Sequence, residues 1–550
     1  MPLSSFGHED AASAAGPQLT ESLARIVDNR AIRDFLALKS NKCYLIGPKG
    51  TGKTLLLIKK ALEMVQEESV CVIPRSEDLP VDRLNGFEHL GHRFWLRHGE
   101  HHGESMAWAT LWVNSICKAS LYNVRQMLGS ARGSARAHAA KRGRGGRDEP
   151  DDEVARRLLD QDIEELLGPG PYSRPKAVFD FYRDVTNRLD SAGTRQAAHL
   201  LGEIAKENHR LEHVLREISV PVYIFLDNLD VYHEHDPDLW FSIIFGQFVA
   251  IRAIRQSVRH VHVFTSIRRD IYNLFRTVEL SQYRDYITFL EYSREELLRV
   301  LEFGIDRLDD ELLAYPDLRK HDPWRAFFGE AATMTNWIVS RIEEPVQHYL
   351  LRHSLWRPRD LVTLGNSILT AKGDRRITEA IVCDAVAEAA TALCRQYLTE
   401  IQPIMARMLE PILTPGFDVE QEVEIFVSRY LPGNILSCEQ AREACRQHLR
   451  DRAMHGCGED ADCTNCLDMP LFTGLWSLGL IGAVKVAPAT GACQQTFLKP
   501  GEAQPGRDRG RLPRSDWYLV HPVLDGLLGH QCVNPRQLVG YDLPFDPAAV

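Results

Sequence analysis

The chain has 550 residues, of which 44% are hydrophobic and 25% are charged, as is typical of folded globular proteins. This length allows about three or four domains of roughly 150 residues, and it excludes a peptide or a disulfide-stapled mini-protein. With 65 basic and 75 acidic residues, the net charge is −10, which argues against an extended nucleic-acid-binding surface but not against one local basic site.

Cysteine content and apolar segments indicate a soluble cytoplasmic protein. Twelve cysteines are far fewer than a disulfide scaffold of this size needs. Residues 1–17 are small, polar and Ala-rich, without the pattern of an export signal, and we expect a flexible leader there. The longest apolar stretch, Leu471–Val484, has 14 residues, whereas a bilayer span needs about 20. We therefore expect no membrane contact.

The first strongly patterned segment is an apolar run that enters a glycine-rich loop and continues as a helix. The loop fits the pattern Gly-x4-Gly-Lys-Thr and reads Gly47-Pro48-Lys49-Gly50-Thr51-Gly52-Lys53-Thr54. Its glycines let successive amide N–H groups point at phosphate oxygens, beside the positive end of the helix. Lys53 would then reach the β- and γ-phosphates, and Thr54 would complete a Mg²⁺ shell. The pattern predicts an ATP-binding loop; the alternative is a glycine-rich turn without a ligand.

Five short β-type runs, separated by helical or loop sequence, predict a doubly wound α/β fold with a parallel sheet. These runs are Cys43–Ile46, Val70–Ile73, Val222–Leu226, Val261–Thr265 and Tyr286–Leu290. We assign residues 18–74 and 216–305 to this five-stranded core.

Residues 75–215 are too many for one crossover, and we predict a helical insertion. Apolar side chains recur at helical spacing, which predicts a helix packed on a core, at Trp108, Leu111, Trp112, Ile116 and Ala119. Near 131–153, a basic stretch without large apolar side chains is followed by an acidic one, so we expect a disordered loop there. Its arginines could contact phosphate backbones; a solvated linker is the alternative.

Two predicted strands end in polar residues that we expect at the same edge of the sheet. Val222–Leu226 leads to Asp227, which could hold Mg²⁺ through water; the alternative is an aspartate that caps a turn. The next strand ends in Thr265 and Ser266, of which one could orient the attacking water. Arg268 follows and could neutralise charge on the γ-phosphate. The alternative for these three residues is a solvated strand end.

These motifs resemble those of the additional-strand P-loop ATPases, in particular the AAA+ and STAND branches and the origin-recognition-like ATPases. The resemblance covers residues 45–60 and 220–370, and its segments read GPKGTGKT, IFLDNLD, VFTSIRRD, ITFLEYSREELLRVL and WRPRDL. It implies a P-loop core with strand order 5-1-4-3-2, a helical lid and a terminal winged helix. It also implies that Arg359, with Arg357 as runner-up, senses the γ-phosphate. The alternative is a helix that simply begins at Pro358.

One position departs from the AAA+ pattern. These enzymes usually place a catalytic glutamate directly after the strand-ending aspartate, where this chain has Asn228. An amide cannot accept a proton as a carboxylate can, so we expect slow turnover. Asp230 is the nearest substitute and Glu234 a weaker one. Slow turnover suits a switch better than a motor.

The remaining chain is predicted to form a helical lid at 306–400 and a C-terminal helical and winged-helix-like domain at 401–550. Cys457, Cys463 and Cys466 have a spacing that could bind structural Zn²⁺; the alternative is reduced free cysteines. His521 is similar to a winged-helix histidine that contacts nucleotide in some STAND proteins, and the alternative is a histidine in the core or at a helix start.

The sequence thus predicts an ATP- and Mg²⁺-binding ATPase of the AAA+/STAND type. We expect an ATP-gated oligomerisation or conformational switch, a homo-oligomer that controls a separate effector protein, as some relatives do in bacterial antiviral systems. The alternative is a DNA-binding loader that resembles origin-recognition proteins, with DNA or RNA as partner. A third option is a nucleotide-binding scaffold that never hydrolyses ATP.

Overall fold

The computed structural model shows a mostly helical α/β protein. It describes residues 5–6, 23, 26–38, 40–65, 71–73, 101–142, 165–167, 176–218, 220–227, 237–275, 278–336, 342–409, 418–451, 470–486, 493–498, 512–515 and 517–528.

The elements of the N-terminal half surround a parallel sheet. They are α1 (Arg30–Leu36), β1 (Tyr44–Gly47), α2 (Lys53–Val65), β2 (Cys71–Ile73), α3 (His101–Arg142), α4 (Val178–Glu217), β3 (Val222–Leu226), α5 (Pro237–Ser257), β4 (Val261–Arg268), α6 (Arg269–Leu274) and β5 (Ile287–Phe289).

The elements that follow are mainly helical, apart from a short strand pair, until a four-stranded sheet forms. They are α7 (Arg294–Arg307), α8 (Pro323–Phe328), β6 (Thr333–Asn336), β7 (Ile342–Pro345), α9 (Val346–Arg352), α10 (Pro358–Lys372), α11 (Glu379–Leu409), α12 (Val419–Ile425), β8 (Ile435–Ser437), α13 (Cys438–Asp451), α14 (Pro470–Ser477), β9 (Ile481–Val486), β10 (Cys493–Phe497), β11 (Trp517–Val520) and α15 (Asp525–Leu528).

The first sheet has five parallel strands in the order β2-β3-β4-β1-β5. This confirms the predicted parallel sheet and its strand order. Strand β1 is apolar on both faces and all of its residues are buried, as is typical of a parallel strand between layers of helices. In register, Gly47 pairs with Arg268, and Leu226 pairs with Thr265. The carboxyl ends of β1, β3 and β4 therefore lie side by side at one edge.

Helices α3 and α4 of the insertion share the hydrophobic core of this sheet. The predicted apolar stripe is buried, and Trp112 stacks on Tyr182 of α4 with ring centroids 4.1 Å apart. The Trp112 indole donates a hydrogen bond to the Ile243 carbonyl of α5, at 3.1 Å. At Gly246 of α5, an added Cβ would lie 2.5 Å from the Cβ of Trp108, so the two helices can approach this closely only because position 246 is glycine.

The structure differs from the loop predicted near 131–153. Helix α3 extends to Arg142, so the first part of that stretch is helical, and residues 143–153 lie outside the described residues. Alanine and arginine both have high helix propensity, which outweighs the two glycines at 129 and 133. The composition that indicated a loop is thus also compatible with a helix.

Helices α8 to α11, which we call the lid after the predicted element, share a second hydrophobic core with the C-terminal sheet. Besides Phe6, the residues of this core lie between Leu297 and Leu528. Helix α11 continues through Pro403 and so crosses the predicted boundary at residue 400. Phe6, in the expected flexible leader, is 2% exposed and packs edge-on against Phe327, with centroids 5.1 Å apart. Its amide donates to the Asn366 side chain at 2.8 Å. This one residue of the expected leader is therefore part of the hydrophobic core around Phe327.

The four-stranded C-terminal sheet is antiparallel, with the order β10-β9-β11-β8, and β6 pairs with β7 in a separate two-stranded antiparallel sheet. Helix α14 and strands β8 to β11 lie within the C-terminal region predicted at 401–550. Within the part of the chain described here, no helix has both the length and the apolarity to cross a bilayer.

Candidate functional site

The glycine-rich loop connects β1, a strand inside the parallel sheet, with the start of α2. Gly50 and Gly52 have φ angles of +81° and +84°, in the left-handed region that favours glycine. The Thr51 hydroxyl donates to the Pro48 carbonyl at 2.7 Å, and the Tyr292 hydroxyl donates to the Thr51 carbonyl at 2.8 Å. These bonds fix a compact turn at the N-terminus of α2.

The side chain of Lys53 folds back over this loop. Its ammonium donates to the carbonyls of Gly47 at 3.0 Å and Pro48 at 2.8 Å, and the residue is 8% exposed. Thr54 follows in the first turn of α2 and is half-buried. The loop thus has a buried cation and a hydroxyl at a helix N-terminus, where the helix dipole favours anions.

Asp227 and Ser266 meet at the carboxyl edge of the sheet. Ser266 Oγ donates a hydrogen bond to Oδ1 of Asp227, from the neighbouring strand. Thr265 is completely buried on the opposite face and its hydroxyl lies 3.4 Å from Gln247 Oε1 of α5. Successive side chains of a strand alternate between faces, so the structure brings Ser266, and not Thr265, to the aspartate.

Arg268 ends β4 and is nearly buried. Its guanidinium contacts Asp270, with Nε 3.1 Å from Oδ1, and Nη2 donates to the backbone carbonyl of Glu400 at 2.7 Å. Arg268 therefore connects the sheet to helix α11 of the lid.

Arg359 lies directly on the glycine-rich loop. Its amide donates to the Gly50 carbonyl at 3.3 Å, and an added Cβ at Gly50 would lie 3.0 Å from its Nε. Nη2 of the same guanidinium donates to Oε1 of Glu400 at 2.8 Å. Helix α10 begins at Pro358, as the alternative interpretation held, and that start places Arg359 in its first turn against the loop.

Arg357, the runner-up sensor, is fully buried inside the lid. Its Nε is 2.9 Å from Asp360 Oδ1, and Nη1 donates to Glu400 Oε2 at 3.0 Å. Burial alone would lower the pKa of Arg357, but the adjacent Asp360 and Glu400 raise it above its ordinary value. The preceding residue, Trp356, has a φ of +58°, a strained conformation for a bulky side chain. Arg357 thus fixes the turn before α10.

Glu400 is the central residue of this arrangement, and the sequence reasoning missed it. Besides the two arginines, its Oε1 lies 3.5 Å from Lys49 Nζ of the loop. Burial raises the pKa of Glu400, but Arg357, Arg359, Lys49 and Arg268 together lower it below the ordinary value, so the side chain is ionised at neutral pH. We call the group formed by Glu400 and its partners the Glu400 cluster; it consists of Glu400, Lys49, Arg268, Arg357 and Arg359.

A second residue that sequence reasoning missed is Tyr292, which packs against both hydrophobic cores and bonds the loop. Burial raises the pKa of its hydroxyl well above the usual range, so it is a neutral donor. Tyr292 lies five residues after Ile287, and nothing in the sequence around it distinguishes it from an ordinary core tyrosine.

Several predicted site residues lie outside the described residues, namely Asn228, Asp230, Glu234, Cys457, Cys463 and Cys466. Within the described ranges, no group of three or more His, Cys, Asp or Glu side chains is arranged to hold a metal ion. His521 is buried, and its Nδ1 accepts a hydrogen bond from the Val523 amide at 3.1 Å. This is the arrangement of a core histidine at a helix start.

Comparison with protein-family models gives no match, and comparison with curated proteins gives no significant match. The functional argument therefore depends on the residues of this chain. They offer two kinds of chemistry at one sheet edge: loop amides and cations suited to phosphate, and the hydroxyl and carboxylate oxygens of Thr54 and Asp227, which are hard ligands of the type Mg²⁺ prefers.

Proposed function

We propose that this chain is a slow ATPase of the P-loop class, similar to AAA+ and STAND proteins, in which ATP binding gates a conformational or assembly change. The observation that carries the proposal is the loop between β1 and α2, with left-handed Gly50 and Gly52 and with Lys53 folded over it. Backbone amides in such a turn, at a helix N-terminus, bind phosphate groups.

The residues take the following roles in this proposal. Lys53 exchanges its two carbonyl acceptors for oxygens of the β- and γ-phosphates. Thr54 and Asp227 would hold Mg²⁺, which when bound neutralises phosphate charge. Ser266 orients Asp227 through its hydrogen bond. Turnover is slow because Asn228 follows the aspartate and cannot act as a general base.

The contact between the lid and the glycine-rich loop is the reason why we propose a switch. Arg359 contacts the loop at Gly50 and belongs to the lid, so phosphate in the loop and the position of the lid depend on the same guanidinium. A change in lid position would alter contacts between copies of the chain or with a separate effector protein. Mass measurement with and without ATP tests the assembly step, and an unchanged monomer under both conditions would contradict it.

Measurements of ATP binding and of multiple-turnover phosphate release test the proposed function. We expect Lys53→Ala to abolish both, because the cation that would reach the phosphates is lost. Lys59→Ala, on the same helix, is the matched control and should behave as the wild type. Equal ATP binding and phosphate release by Lys53→Ala and wild type would overturn the proposal.

The alternative of a DNA-binding loader has one structural argument in its favour and one against it. The chain order α12-β8-α13-α14-β9-β10-β11, with β11 between β8 and β9 in the sheet, is compatible with a winged helix and supports this alternative. However, α14, which would enter the groove, reads PLFTGLWS, has no basic residue and buries Phe472, Leu475 and Trp476. We therefore favour the switch. DNA retention at low salt that weakens steeply as salt rises would instead support the loader.

A further inference from the structure

We propose that Glu400 is an autoinhibitory latch, a carboxylate that occupies the cations needed by the nucleotide phosphates until ATP displaces it. This inference rests on the proposed function and concerns the regulation of the same site.

Glu400 connects the lid with the loop through side chains of opposite charge. It lies on α11, about 350 residues after the loop in sequence, and contacts Lys49 of the loop and Arg359 of α10 through one oxygen, Oε1. Its other oxygen contacts Arg357. At 8% exposure Glu400 is nearly buried, so water screens its contacts with the two arginines little, whereas the Lys49 side chain is 44% exposed and its contact is screened more.

The two cations on Oε1 also lie at the phosphate-binding turn, beside Lys53. Lys49 is a residue of that turn, and the Arg359 guanidinium would touch any side chain at Gly50. A carboxylate and a phosphate carry the same sign of charge and accept the same hydrogen bonds. The Glu400 carboxylate and a nucleotide phosphate therefore compete for Lys49 and Arg359.

Arg357 does not depend on Glu400 in the same way. Its Nε contacts both oxygens of Asp360, at 2.9 and 3.0 Å, and these contacts remain when Glu400 leaves. Displacement of Glu400 consequently frees the two loop-side cations while the start of α10 keeps its internal ion pair. Removing one partner of a buried ion pair is costly. When Glu400 leaves Lys49 and Arg359, a nucleotide phosphate would take its place as their anionic partner.

Affinities for ATP and for adenosine, measured by calorimetry and by displacement, test the latch in wild type, Glu400→Gln and Glu344→Gln. The amide keeps the size of the side chain but removes the charge, so ATP should bind Glu400→Gln about tenfold more tightly, with adenosine binding unchanged. Glu344 is the matched control, since it is equally buried in the lid and pairs with Arg352, away from the loop.

Equal or weaker ATP binding by folded Glu400→Gln would overturn the latch, and so would an equal gain for adenosine. If wild type binds ATP and Lys53→Ala does not, the proposed function stands although the latch falls. Absence of ATP binding in wild type overturns both.

Hydrogen exchange of the wild type provides a test that needs no variant. Displacement of Glu400 should make backbone amides of residues 396–402 in α11 exchange several-fold faster when ATP is added. Slower or unchanged exchange in that segment, with ATP bound, would overturn the latch.

Discussion

The hydroxyl of Ser266 donates a hydrogen bond to the carboxylate of Asp227, whereas its neighbour Thr265 points to the opposite face of the same strand. Strands β3 and β4 are thus joined at their carboxyl ends by side chains as well as by the backbone ladder. Of these two adjacent residues, Ser266 therefore belongs to the candidate site, whereas Thr265 belongs to the hydrophobic core.

We expect Ser266→Ala to lower the rate of ATP hydrolysis about tenfold, because Asp227 loses a hydrogen bond to its charged form. Thr265→Val should instead lower the free energy of unfolding by about 1 kcal/mol, because Gln247 loses its contact in the core. Its hydrolysis rate per folded molecule should match the wild type. Steady-state phosphate release and urea unfolding distinguish the two; reversed effects would contradict the assignment.

A second comparison concerns the two left-handed glycines of the loop. Alanine at either position costs about 1–2 kcal/mol because φ is near +80°. An alanine Cβ at Gly50 would also lie 3.0–3.3 Å from three atoms of Arg359, whereas at Gly52 the nearest atom is Tyr292 Oη at 3.9 Å. We therefore expect Gly50→Ala to lower the apparent melting temperature more than Gly52→Ala. Equal decreases in melting temperature for the two variants would contradict the close contact between Arg359 and Gly50.

The N-terminal residue Phe6 offers a test of the lid core. Its ring lies against Gly304 and Gly365, where added Cβ atoms would be 2.6 and 3.0 Å from it. Phe6→Ala should cost about 3–5 kcal/mol of stability, since the ring leaves a cavity that two helices cannot close. Leu38→Ala, at a leucine that is 53% exposed, is the control and should change little. Chemical denaturation measures both, and similar midpoints would contradict the packing of Phe6.

Stability should fall on acidification because two histidines are buried in neutral form. Burial lowers the pKa of His353 and of His521 to about 3 from an ordinary value of 6.5, with a further contribution to His521 from His353. Below pH 6.5 the unfolded chain binds protons that the folded chain does not bind, so stability is lost as pH falls. At pH 5 the loss is about 2 kcal/mol for each histidine.

Unfolding by urea at pH 7 and at pH 5 checks this expectation. His521→Gln should have a smaller difference between the two pH values than the wild type. His199→Gln is the control because its side chain is 78% exposed. A pH dependence that is the same in wild type and His521→Gln would contradict it.

The sequence predicted the parallel sheet and its loop because both depend on local patterns. An apolar run before Gly47 and the spacing of Gly50, Gly52 and Lys53 are visible without any knowledge of the fold. The apolar stripe at Trp108 and Trp112 was visible for the same reason. Local patterns of this kind predict a helix or strand and which of its faces is buried. They do not predict which distant side chain completes a site.

Glu400 and Phe6 could not be predicted, since each acts through residues far away in sequence. Glu400 is an acid between Leu398 and Ile401 on a long helix, and only the fold brings it to Lys49. Phe6 is one aromatic residue in a polar leader. For Thr265 and Ser266, alternation along the strand implies opposite faces, but the sequence alone does not tell which face holds the aspartate.

The second hydrophobic core gives the lid a mechanical property. Since α10 and α11 share that core with the C-terminal sheet, the lid cannot turn without carrying strands β8 to β11 with it. If Glu400 is displaced as proposed, a rotation of the lid would move atoms of this sheet further than atoms close to the loop. If ATP binds as proposed, we expect its largest structural effect at the edge strands β10 and β8 of that sheet.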